Sequence, residues 1–188
     1  MRKIILLQPI GEINQSVLLK LKINLKWSLK DYIEDVTISE DFISISEKNY
    51  NSTKRKFNAS LIIKDLIDHI GKRNFFRYLG VIDKDIYSKK SEFVFGIAFI
   101  PKINYPRVAL ISLTRLDESF YRREKDMELF ELRALKEAVH ELGHTFGLEH
   151  CDNNCVMHFS ERLIHTDQKS ARFCEDCERK LKNFFEEL

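Results

Sequence analysis

The sequence predicts a single mixed α/β domain, and three observations carry that prediction. An apolar run at 4–7 is followed by a stretch with helical spacing, the opening half of a β-α-β unit. Three further apolar runs, at 75–82, 93–100 and 108–113, read as strands. A chain of 188 residues with 44% apolar side chains can bury one sizeable core around them without disulfides.

Taken in order, Ile4, Ile5, Leu6 and Leu7 form a buried opening strand ended by Gln8-Pro9-Ile10-Gly11. Asn14 then caps a helix whose apolar residues are Val17, Leu18, Leu21 and Leu25. The second strand is either Val36-Thr37-Ile38 or the alternating Phe42, Ile43 and Ile45. Residues 49–58, rich in Asn, Ser, Lys and Arg, form a polar loop expected to be the least ordered segment. Ser60 is the expected cap of the next helix, with Leu61, Ile63, Leu66, Ile67 and Ile70 inward and Gly71 as its stop. The strands at 93–100 and 108–113 are joined by a Pro/Asn turn. From Met127 onward, Leu132, Leu135, Val139, Leu142 and Phe146 lie on one side of a long helix ending near Gly147. Regular periodicity then disappears until 181–185. The intervening stretch holds every cysteine, so ligation is expected to hold it in place of hydrophobic packing.

Composition narrows the partners. With 31 Lys and Arg against 29 Asp and Glu, the formal charge of +2 gives no electrostatic argument for a nucleic-acid or membrane partner. Three prolines and six glycines exclude a collagenous or linker-rich chain. The apolar run at the N-terminus is too short for a secretory core or a membrane span, so a cytoplasmic protein is expected; a monomer is the separate expectation for its assembly. In a reducing compartment the four cysteines are expected to hold metal. Lys54-Arg55-Lys56 reads as a solvated loop, Trp27 as a packing residue, and His158 and His165 as surface or supporting residues.

The chemistry is concentrated in His140-Glu141-Leu142-Gly143-His144 and the residues that follow. Side chains four apart stack on one helix face, so His140 and His144 present two imidazoles to one ion. A continuous helix would carry His150 about 80° around and about 15 Å along, out of reach of that ion. A turn is therefore required. Gly147 stands where a left-handed residue would end the helix and bring His150 in as third ligand. Three protein ligands leave a position for water, the pattern of a catalytic zinc. Glu141, beside the first ligand, is positioned to act as general base on a zinc-bound water and to pass the proton to a leaving amine.

Cys151 and Cys155, followed by Cys174 and Cys177, have the arrangement of two knuckles of a closed, structural zinc site. Two disulfides or a redox Cys-x-x-Cys at Cys174 and Cys177 are the alternatives. Because Cys151 follows His150 directly, the second metal would anchor the segment carrying the third ligand of the first.

These residues resemble the metzincin clan of zinc peptidases, and the cysteines narrow the resemblance to the archaemetzincins. Further segments resemble that family at 79–87, 93–96 and 111–116, so the likeness extends over most of the chain. It implies a compact α/β metzincin-like domain with a mixed twisted sheet, a cleft beneath an edge strand, a long active-site helix, and a C-terminal segment pinned by structural zinc. Within one domain spanning 1–188, an upper α/β part (1–147) carries the helix and 148–188 forms the zinc-knuckle part. The likeness also makes Met157 the residue of a Met-turn beneath the metal; from the residues alone Met157 is equally a plain core methionine. Two loops between the cysteines are slightly shorter than in the family pattern. Phe159 stands where some metzincins carry a tyrosine, so no hydroxyl is available there for oxyanion stabilisation.

The expected function is thus a metallopeptidase with two Zn²⁺ per chain acting on peptide or protein substrates. The alternative is a catalytically silent or latent two-zinc binding protein on the same scaffold.

Overall fold

The computed structural model describes residues 2–71, 73–100 and 107–188. Strand β1 (Ile4–Ile10) leads into helix α1 (Gln15–Ser28) and returns to β2 (Asp35–Ile38), parallel to β1, completing the expected β-α-β unit. Asn14 caps α1 as expected, its side chain accepting from the Ser16 backbone N–H at 2.9 Å. Of the two candidates for the second strand, the first is correct. Ile43 contributes only an isolated bridge to Ile10.

Residues 49–58 depart from expectation. They contain β3 (Tyr50–Asn51) and β4 (Lys56–Asn58), which pair with each other and, through β4, with β6 (Ile86–Tyr87) in a small second sheet. Helix α2 (Ala59–Ile70) is capped by Asn58, whose side chain accepts from the Ser60 and Leu61 N–H groups, and not by Ser60. Leu61, expected inward, is exposed, while Ile62, Ile63, Leu66 and Ile70 are buried. Gly71, with φ of 55°, ends the helix as predicted.

The main sheet is completed by β5 (Arg77–Ile82), β8 (Val108–Ser112) and β7 (Gly96–Phe99). Its order is β2-β1-β5-β8-β7, all parallel except the antiparallel edge strand β7. The expected Pro/Asn turn between β7 and β8 lies outside the described residues. Both faces of the sheet are covered, which explains why β1, β5 and β8 read as continuous apolar runs. Ile5, Leu7, Leu79, Val81, Ala109 and Ile111 face one core, shared with Leu18, Leu21 and Leu25 of α1. Their neighbours Leu6, Ile10, Tyr78, Ile82, Val108 and Leu110 face the other, shared with α2. This strict alternation is the period of two expected of strands.

The first face also carries the long helix α3 (Met127–Thr145), started by Asp126, whose carboxylate accepts from the Leu129 N–H at 2.9 Å. Two short helices follow, α4 (Leu163–Gln168) and α5 (Glu175–Glu186). Leu181 of α5 is fully buried, and Phe184 and Phe185 pack around Phe146 at ring separations of 5.9 and 5.2 Å. Trp27 does not join the core: it is 70% exposed, with the Lys30 ammonium over its ring. Among the described residues no helix is long and apolar enough to cross a membrane.

Candidate functional site

Helix α3 buries two stripes. One is apolar, comprising Ala134, Ala138, Val139 and Leu142, and seats the helix on the sheet. The other is polar yet equally buried: Arg133, Lys136, Glu137, His140 and Glu141. Leu132, expected inward, lies between these and is exposed.

The polar stripe is satisfied by the segment around α4. Arg133 forms a two-pronged pair with Asp167 at 2.6 and 2.8 Å and reaches Glu118 at 2.6 Å. Lys136 donates to the carbonyls of Thr166 and Asp167, each at 2.9 Å. Glu137 accepts from the Thr166 hydroxyl at 2.9 Å and pairs with Lys169 at 2.9 Å, both partners of the pair being buried. Lys169 Nζ also lies 3.5 Å from His140 Nδ1 and from the His158 carbonyl. None of these partners is recognisable from sequence, because each lies far along the chain from α3 with no local pattern linking the two.

After Thr145 the helix ends in a Schellman turn. Leu148 N–H donates to the Gly143 carbonyl and Gly147 N–H to the His144 carbonyl, each at 3.0 Å, with Gly147 at φ of 90°. A Cβ at Gly147 would meet nothing within 4 Å, so its backbone angle, and not space, requires glycine there. The turn does two things. It redirects the chain so that His150 returns over the helix, and it brings the Leu148 carbonyl to His144 Nδ1 at 2.8 Å.

His140 Nδ1 is likewise 2.8 Å from the Val156 carbonyl. A carbonyl only accepts, so both Nδ1 atoms carry the proton and both Nε2 atoms present bare lone pairs. Those two Nε2 atoms lie 3.1 Å apart. Lone pairs facing at that distance repel unless a cation lies between them. Zinc–nitrogen bonds of about 2.0–2.1 Å put tetrahedral ligand atoms about 3.3 Å apart, so the spacing fits such an ion. His150 closes the group: its ring centroid lies 5.3 Å from that of His140 and 4.9 Å from that of His144. One nitrogen from each of the three rings falls within a mutual 4.8 Å. Burial lowers the proton affinity of all three imidazoles, His140 to about 2, keeping them neutral as metal ligands must be. The Phe159 ring packs against His150 at 4.9 Å.

The Sγ atoms of Cys151, Cys155, Cys174 and Cys177 also fall within 4.8 Å of one another, and all four are free thiols. Cys151 and Cys174 are 3.7 Å apart. That is far beyond a disulfide bond and close to the roughly 3.8 Å between sulfurs of a tetrahedral zinc–thiolate site. Backbone N–H groups of Met157 and Cys174 point at Cys155 Sγ, at 3.5 and 3.3 Å. Burial alone would raise the Cys174 thiol; hydrogen bonds from Cys177 N–H, Asn153 and neighbouring thiols carry it down to about 6 instead. The cysteine and histidine groups are joined by one short piece of chain: Val156 supplies the His140 carbonyl partner, and Cys151 N–H donates to the Met157 carbonyl at 3.1 Å.

Met157 is fully buried against α3, its sulfur filling the space that a Cβ on Gly143 would occupy. His158 is exposed and His165 accepts from the Glu161 N–H, so neither enters the three-imidazole group.

The histidines open into a cleft of about 670 Å³ beneath β7, lined by Phe95, Gly96, Ile97, Glu141 and Phe159 among others. Glu141 is 6% exposed and faces this space. Burial, with the Glu137 charge adding to it, raises its proton affinity well above that of an ordinary carboxylate. The strand fits around it closely: a Cβ on Gly96 would stand 2.5 Å from Glu141 Cγ and 2.7 Å from Oε1. Sequence reasoning missed Gly96 and Lys169; only an apolar run interrupted by glycine marked the former.

The sequence and the fold have close counterparts. Peptidase family M54 matches residues 12–183. The archaemetzincin of Pyrococcus abyssi (strain GE5 / Orsay) is 42% identical over 185 residues, covering 97% of this chain and 96% of that protein. The crystal structure of archaemetzincin from Methanopyrus kandleri superposes with a TM-score of 0.83 at 31% identity, over 98% of this chain and 96% of that one. A zinc-dependent peptidase from Methanocorpusculum labreanum (strain Z) gives a TM-score of 0.79 at 26% identity, over 94% and 99% of the two chains. Matched in sequence and in backbone over nearly its whole length, with two groups of side chains able to hold metal, the chain belongs to Peptidase family M54, the archaemetzincin zinc metallopeptidases.

Proposed function

We propose that the cleft hydrolyses peptide bonds, with His140, His144 and His150 holding a catalytic zinc and Glu141 acting as general base. Cys151, Cys155, Cys174 and Cys177 hold a second, structural zinc, and Met157 is the apolar floor beneath the first. The observation that carries the reading is the pair of Nε2 atoms 3.1 Å apart, closed over by a third imidazole. When bound, zinc polarises the scissile carbonyl and lowers the pKa of water. Glu141 takes the proton of the attacking water and gives it to the departing amine. Its buried position favours this task, because desolvation raises the proton affinity of the carboxylate and so makes it a stronger base than an exposed one. The outer edge of β7, unpaired among the described residues, offers backbone groups along which an extended substrate can lie.

In this reading 1–147 forms the part of the domain that carries the helix and the cleft, and 148–188 is the knuckle part that delivers His150. The protein acts as a monomer in the cytoplasm on peptides or unfolded protein segments, with no nucleic-acid or membrane partner.

The test is a Glu141→Gln variant assayed on a diverse peptide library after zinc quantitation. Two zincs per chain with hydrolysis lost is the expected result. Hydrolysis at the wild-type rate would remove Glu141 from the mechanism. Retention of both zincs without cleavage by the wild type would favour a silent binding protein.

A further inference from the structure

A second cavity, of about 570 Å³, adjoins the catalytic cleft; Lys90, Ser91 and Glu92 line both. Its remaining wall comes from the small sheet and the start of α2, through Lys54, Asn58, Ser60, Tyr87, Ser88 and Lys89. Three lysines face one glutamate there, and that glutamate is already paired with Lys54.

Tyr87 supplies the independent observation. Its side chain is nine-tenths buried and the residue lines the cavity. Two amide groups point at that hydroxyl, Asn51 Nδ2 and Asn58 Nδ2, each at 3.4 Å. The orientation of both amides is settled by their other ends. Asn58 Oδ1 caps α2, and Asn51 Oδ1 accepts from the Lys54 N–H at 2.9 Å. Both therefore approach Tyr87 as donors, and the phenol accepts from each. Its own proton is left to donate: among the described residues it has no acceptor, and the residue borders the cavity. A buried O–H held as a donor, beside lysines and serine hydroxyls, is complementary to an acceptor-only, negatively charged group.

We infer that this cavity is an anion subsite of the peptidase, taking a carboxylate or phosphate group on a peptide whose scissile bond lies in the adjoining cleft. The inference rests on the peptidase reading of that cleft and adds a substrate class to it. Tyr87 donates to the anion, Lys89 and Lys90 supply the charge, and Lys54, over the Tyr87 ring and paired with Glu92, sets the wall between cavity and cleft.

The test has two arms. The first measures binding of inorganic phosphate by calorimetry to wild type, Tyr87→Phe and the double variant Lys89→Ala/Lys90→Ala. Binding should weaken about fivefold or more in each, and more steeply at low salt for the lysine variant. The lysines are exposed and their loss does not threaten folding, so the double variant remains informative if Tyr87→Phe is unstable.

The second arm compares kcat/KM for twin peptides that differ only in one group: glutamate against glutamine, phosphoserine against serine, free C-terminal acid against amide. Wild type should favour at least one anionic twin, through KM, and the lysine variant should bring that ratio toward one. Which twin responds identifies the source of the anion. Equal phosphate binding in all three proteins, or equal cleavage of every pair of twins by the wild type, overturns the inference while leaving the peptidase intact. Variant-sensitive phosphate binding without cleavage of any twin supports the anion subsite and removes the peptidase reading.

Discussion

Replacing Gly96 by alanine should separate catalysis from metal binding. The added Cβ would stand 2.5 Å from Glu141 Cγ, 2.7 Å from its Oε1 and 2.8 Å from the Leu110 carbonyl. Non-bonded carbons settle about 3.5–4.0 Å apart, so the Glu141 side chain has to retreat by roughly 1 Å. Strand β7 cannot take up the whole shift, because Gly96 pairs with Ile111 of β8 and the Leu110 carbonyl blocks it on the same side. Overpacking of this kind costs about 1–3 kcal/mol of stability. A misplacement of about 1 Å in a proton-transferring group costs on the order of 100-fold in rate. No histidine or cysteine supplies any of the three atoms nearest the new methyl group. The expected variant is folded, carries wild-type zinc, melts somewhat lower, and has kcat reduced about 100-fold on a fluorogenic peptide. Wild-type kcat in a folded Gly96→Ala protein would refute the claim that the position of Glu141 beneath β7 matters to the reaction.

Other perturbations follow from the same geometry. Gly147→Ala places a side chain at φ of 90° and should cost about 1–2 kcal/mol, read as a lower denaturation midpoint, with weaker zinc binding at the histidines than at the cysteines; an unchanged midpoint would show the Schellman turn to be dispensable. Lys169→Met strands Glu137 as a buried unpaired charge and should destabilise by about 3–5 kcal/mol. Adding Glu137→Gln should recover part of that loss, and equal destabilisation by the single and double variants would contradict the pairing. Because burial lowers the folded-state pKa of His140, His144 and His150, the unfolded chain binds more protons below about pH 6.5. Chelator-treated protein should therefore lose stability between about pH 7.5 and about pH 5.5, and a flat urea midpoint across that window would be incompatible with buried neutral imidazoles.

Much of this was legible in the sequence because the signals are local. Four-residue spacing brings His140 to His144, a glycine three residues further turns the chain, and the cysteines stand in two close pairs whose sulfurs the fold gathers into one group. The apolar strands were equally plain, since a sheet covered on both faces needs unbroken hydrophobic runs. What sequence misjudged has physical causes. Strands β3 and β4 are two and three residues long, too short to display alternation, and their place depends on β6, some thirty residues downstream. Asn58 and Ser60 are both good caps, and only the structure decides between them. Leu132 misled because hydrophobic periodicity assumes that buried means apolar. On α3 the face beside it is buried yet charged, its partners supplied by Glu118, Asp167 and Lys169.

That charged face makes the histidine-bearing helix a poor candidate for transplantation. A peptide copying 127–150 would contain all three clustered imidazoles and the glutamate, but Arg133 and Glu137 would have lost their charged partners and Lys136 the carbonyls it donates to. Grafted onto another scaffold, the helix would seek water with the side that must stay dry, and turn its imidazoles away from His150. The motif is portable as text but not as an object: any design borrowing it must also import the strap at 163–169.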